Sequence, residues 1–171
     1  MMVSRRQFLK FGLAGGLLLA AAGAARAQTG YRAASGADRF EVLSDDDREV
    51  IAAVAPAILA GTGAAGARLE AIVGSVDRAV AGLPPHLQAE VKQLLALLAS
   101  WPGRRLLAGV SAPWPQASRT EVAAFLERWR FSGWALFQQA YHALHELVLA
   151  AWYARPDSWP EIGYPGPPVL G

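Results

Sequence analysis

This sequence predicts an all-α fold: about five helices in a compact bundle, followed by an extended Pro/Gly/aromatic tail. Three observations point there. Apolar residues recur at helical spacing through most of residues 43–154. Helix-start signals precede two of those runs: Ser44 before three aspartates, and Ser118 three positions before Glu121. No segment shows a convincing period-two alternation.

The first 27 residues read as a leader. SRRQFLK supplies Ser4, Arg5, Arg6, Phe8, Leu9 and Lys10, the pattern of a twin-arginine export signal. An apolar run from Phe11 to Ala25 follows, diluted by glycines and short for a permanent anchor, which needs about 20 residues. Ala25-Arg26-Ala27 offers a small-x-small cleavage site. Cleavage would leave 12 basic against 14 acidic residues, so the basic balance belongs largely to the leader. The mature charge therefore gives no reason to expect nucleic acid. The export route predicts a periplasmic or exported location. The chain has no cysteine, which excludes covalent haem attachment, thiolate iron–sulfur ligation and a thiol nucleophile.

Residues 28–42 are small and polar and read as a flexible lead-in, with order beginning near Leu43. Ser44 caps a first helix, and Asp45, Asp46 and Asp47 place negative charge at its positive end. The triplet lacks the spacing and distal Glu of a calcium loop. Pro56 should kink or interrupt that helix. Gly61-x-Gly63-x-x-Gly66 matches a dinucleotide fingerprint only formally, because it follows a helical pattern and not a strand. Leu69, Ile72, Val73, Val76 and Val80 make a second helix. Leu87, Val91, Leu94, Leu95 and Leu98 make a third, opened by Pro84-Pro85 and stopped by Trp101-Pro102-Gly103.

A short turn or helix around residues 104–108 leads to a loop. The capping box at Ser118 opens a fourth helix whose inner face is Val122, Phe125, Leu126 and Trp129. A fifth carries two apolar stripes. One is Trp134, Phe137, Tyr141, Leu144, Val148 and Trp152; the other is Leu136, Ala140, Leu147 and Ala151. A helix apolar on two sides is expected to be central or sandwiched between partners. Residues 155–171 hold five prolines and three glycines, which forbid a regular helix or an inner strand. Their Trp159, Ile162, Tyr164 and Val169 must nevertheless lie against something apolar.

Little in the chain looks catalytic. His142 and His145 share a helix face, with Glu146 beside them, and an imidazole pair with a carboxylate can bind a metal. Di-metal bundles use such motifs in facing pairs, however, and only one is present. A polar stripe is the plainer account. No serine sits in a nucleophile elbow and no phosphate loop is present. Arg104-Arg105 marks a helix end, a surface, or a contact for an anionic partner.

The pattern as a whole resembles the small accessory subunits of membrane-associated flavin dehydrogenases, the gluconate 2-dehydrogenase subunit 3 type. The resemblance rests on SRRQFLK, LSDDDREVIAAVAPAIL, WPGRRLLAG, PWPQAS, FLERWRFSG and AYHALHELVLAAWYARPDSWPEIGYPGPP. It implies a non-catalytic chain with no cofactor of its own. The implied partner is an FAD-dependent large subunit of the glucose–methanol–choline oxidoreductase class, folded around FAD and escorted through the twin-arginine translocase. A cytochrome c subunit that accepts electrons is a further implied partner. Aromatic residues dominate binding hot spots. Trp152, Tyr153, Trp159, Tyr164 and Pro165 are therefore the expected partner contacts, with closure of the chain's own core as the other account of Trp152 and Tyr153. The rival readings are a free-standing exported helical protein and a metal-dependent enzyme using His142, His145 and Glu146.

Overall fold

The structure, a computed structural model, describes residues 40–62 and 69–165. The leader residues Ser4, Arg5, Arg6, Phe8, Leu9, Lys10, Ala25 and Ala27 lie outside that range, as do Gly63, Gly66 and the last six residues. The described residues form an all-α bundle without strands. Its helices are α1 (Asp45–Ile58), α2 (Leu69–Ala81), α3 (Pro85–Ala99), α4 (Arg119–Arg130) and α5 (Ala135–Tyr153). A π turn at Gly103–Leu107 and two 3₁₀ stretches, Trp114–Gln116 and Pro156–Ile162, complete it.

Both predicted caps form. The Ser44 hydroxyl accepts from the Asp47 amide, and the Asp47 carboxylate accepts from the Ser44 amide at 3.0 Å. Ser118 and Glu121 repeat the arrangement at the start of α4. Each box occupies backbone donors that a helix start leaves without intrahelical partners. Pro56 does not interrupt α1, which runs two residues further to Ile58. The proline removes one donor near the helix end, and the Leu59 amide still closes the last turn on the Ala55 carbonyl at 2.9 Å.

The central helix is α1, not α5. Val50, Ile51, Val54 and Ala55 are buried, and α1 touches all four other helices. On α5 the two stripes are covered unequally, and Ala151 is the buried member of the second. Tyr141, Leu144, Val148 and Trp152 are buried, while Leu136 is exposed and Ala140 and Leu147 are half-buried. A chain of aromatic contacts ties the bundle together from α4: Trp114 to Phe125 at 6.0 Å, Phe125 to Trp129 at 4.8 Å, and Trp129 to Phe137 at 5.2 Å. Such pairs add to the area they bury.

Two boundaries differ from those expected. Order starts before Leu43: the amides of Glu41, Val42 and Leu43 donate to the buried Asp77 carboxylate at 2.6, 3.1 and 2.7 Å. The tail is not extended at its start. Pro156–Ile162 winds into 3₁₀ turns, and the fully buried Ser158 hydroxyl bonds the Trp152 and Arg155 carbonyls at 2.9 and 2.8 Å. Proline is tolerated in a first turn, where its missing N–H leaves no bond unmade.

Candidate functional site

At the C-terminal end of α5 the structure gathers most of the expected partner contacts. Trp152 is the exception. It is fully buried, because it continues the inward stripe one turn after Val148. Its indole is therefore part of this chain's own core and not of a surface offered to a partner. Tyr153, the next residue, turns outward. Trp159 is half-buried: its indole N–H donates to the Tyr153 carbonyl at 2.9 Å, and its ring meets Tyr164 edge-on at 5.4 Å. Tyr164 and Pro165 are exposed. Tyr153, Trp159 and Tyr164 thus form one small aromatic surface, held to the helix end by a hydrogen bond. That surface can bind by burial and stacking.

The histidines lie midway along α5. His142 and Glu146 are exposed and His145 is half-buried. The Tyr141 ring contacts both imidazoles, at 5.4 Å for His142 and 5.3 Å for His145. Among the described residues no three His, Cys, Asp or Glu side chains group as a metal site would require. An open groove of about 590 Å³ lies between α1 and α2, lined by Phe40, Asp45, Arg48, Glu49, Glu70 and Val73 among others. Its cation is engaged internally: Arg48 pairs with Asp45 and covers the Phe40 ring at 4.2 Å.

A second surface was missed from the sequence. It lies at the other end of α5, about 28 Å along the helix axis from the aromatic cluster. Trp101, Leu106, Phe131, Trp134 and Leu136 are each between 59% and 72% exposed. The C-terminal turn of α4 carries Phe131 and is fastened to the π turn that carries Leu106. Trp129 Nε1 donates to the Leu107 carbonyl at 3.1 Å, and the Arg128 guanidinium donates to the Ala108 carbonyl. In sequence Trp134 belongs to the first apolar stripe of α5, yet it is exposed. It is the N-cap of α5 with an extended backbone, so helical periodicity does not set its direction. Trp101 reads in sequence only as part of a helix stop. The signal that could have found this surface is the coincidence of WPGRRLL and RWRFSGWAL, each mixing large apolar residues with arginines.

The chain matches no family model, no curated protein and no solved structure. No helix among the described residues is long and apolar enough to cross a membrane.

Proposed function

We propose that this chain is a non-catalytic accessory subunit. It binds an FAD-dependent dehydrogenase large subunit of the glucose–methanol–choline class and escorts it, already folded, through the twin-arginine route to the periplasm. The observation that carries the reading is the pairing of SRRQFLK with a chain that offers binding surfaces but no evident catalytic group. A folded-export signal serves a folded, cofactor-loaded passenger, and here that passenger is the partner. Tyr153, Trp159, Tyr164 and Pro165 supply the contact at the end of α5, and FAD belongs to the large subunit. A cytochrome c subunit would receive the electrons.

The test is recovery from the native host with a tag after Gly171. A stoichiometric larger subunit carrying a flavin spectrum is the expected result. Arg5→Lys with Arg6→Lys should then hold both proteins in the cytoplasm, and Trp159→Ala with Tyr164→Ala should lower co-recovery at least tenfold. A colourless lone protein, isolated under conditions that preserve complexes, overturns the reading in favour of a free-standing helical protein.

A further inference from the structure

The surface at the start of α5 differs from the one at its end in charge as well as position. Residues 91–120 and 128–145 contain no Asp or Glu, yet they hold Arg104, Arg105, Arg128 and Arg130. Glu127, one turn back on α4 from Phe131, is the nearest carboxylate in sequence. Arg128 is used internally on the Ala108 carbonyl, and Arg130 lies 5.1 Å from the Phe131 ring centre. Among the described residues, Arg104, Arg105 and Arg130 make no ion pair with a carboxylate. The mature chain read from the sequence is slightly acidic, so this end concentrates positive charge against the overall balance.

The apolar side chains are arranged as protrusions. Trp101 precedes the π turn, Leu106 lies on it, Phe131 is the C-cap of α4, and Trp134 and Leu136 open α5. In the π turn Gly103 and Ala108 face the core, which leaves Trp101, Arg105 and Leu106 on the outer side. Each of the three aromatics exposes on the order of 100 Å². Large exposed apolar side chains brought to one region in this way mark interaction surfaces on a monomer. Tryptophan and leucine projecting among arginines is the composition of the bilayer interface. There the indole sits at headgroup level, the arginines meet anionic headgroups, and the apolar tips enter the acyl boundary.

We propose that this end of the bundle, Trp101, Leu106, Phe131, Trp134 and Leu136 rimmed by Arg104, Arg105 and Arg130, seats on the anionic lipid surface of a bilayer. The chain would lie on the membrane through this end without spanning it. The aromatic surface at the far end of α5 would remain free for a protein partner. Charge complementarity favours an anionic surface. Indole rings beside arginines suit the headgroup level of a bilayer, with the leucines and Phe131 entering the acyl boundary.

Residues 1–39 contain no tryptophan, so indole fluorescence reports on the bundle even when the leader also touches lipid. The experiment uses the full chain with vesicles of about 30% phosphatidylglycerol in phosphatidylcholine, with acyl chains brominated near the headgroup. Emission should be quenched, and Trp101→Phe with Trp134→Phe should remove most of the quenching, because Trp114, Trp129 and Trp152 are buried and the half-buried Trp159 lies beyond the far end of α5. Arg104→Gln, Arg105→Gln and Arg130→Gln together should raise the lipid concentration needed on the order of 100-fold. Pure phosphatidylcholine should quench weakly. Trp101, Trp134, Arg105 and Arg130 are exposed and Arg104 is half-buried, and circular dichroism checks that the variants stay helical. Equal quenching in wild type and the double Phe variant overturns the proposal. So does a lipid-free dimer that Trp134→Ser dissolves, since a second copy of the chain would then cover this face.

Discussion

Asp77 is the residue that ties the entry of the bundle to α2. It is 2% exposed and accepts three backbone N–H bonds from Glu41, Val42 and Leu43. Removing the carboxylate leaves those donors without an acceptor in a partly buried place, at about 1–3 kcal/mol for the first and less for those that reach water. Asp77→Ala should therefore lower unfolding stability by about 3 kcal/mol in a denaturant titration. An unchanged midpoint would show that the entry segment does not depend on it. Glu121 gives a pH test at the same scale. Backbone and side-chain hydrogen bonds from Ser118 hold its carboxyl below the usual carboxylate value, against a small opposing effect of burial. Because its folded value is the lower one, its contribution is present above the unfolded value and is lost as pH falls through the folded one. Ser118→Ala should move the Glu121 midpoint upward in a carboxyl NMR titration; a midpoint that stays put would contradict the capping-box account. Ser118 and Glu121 were readable because a capping box spans three residues. Asp77 was not readable, because its partners lie 34 to 36 residues away.

The π turn after α3 shows how one element can depend on a missing side chain. A Cβ on Gly103 would sit 1.8 Å from the Leu97 carbonyl oxygen, a backbone atom that cannot move aside. Gly103→Ala should cost at least about 2 kcal/mol through overpacking, read as a lower melting midpoint. Gly133, between α4 and α5, has nothing within 4 Å of the same added atom, so Gly133→Ala should stay within about 0.5 kcal/mol of wild type. Equal effects at the two glycines would refute the close approach. The turn is also fastened from outside, by Trp129 to the Leu107 carbonyl, and the end of α3 before it is held by Trp114 to the Leu98 carbonyl at 2.8 Å. WPGRRLL announces a stop and a turn in sequence. The widened i to i+5 bond from Ala108 to Gly103, at 2.9 Å, follows from packing on α4 that local signals do not carry.

For the molecule as a whole, α1 and the aromatic run across α4 hold the core together. Phe125 is fully buried between Trp114 and Trp129. Phe125→Ala should cost about 4 kcal/mol in a denaturation experiment, while Phe131→Ala, on the exposed rim, should cost under 1 kcal/mol. A similar loss for both would contradict a core built around Phe125. The inner face of α4 was legible because Val122, Phe125, Leu126 and Trp129 repeat within one helix, and all four are buried. The fate of the α5 stripe was not. Trp134 and Trp152 belong to the same periodic set, yet one is exposed and the other wholly enclosed. The sequence by itself determined the helical class, the helix starts and the faces of the short helices, because these depend on residues a few positions apart. Only the tertiary structure decided that α1 is central, that Trp152 serves the core, and that Trp101, Phe131 and Trp134 stay exposed. Those outcomes depend on which distant element covers a face, and the period of a helix carries no information about its neighbours.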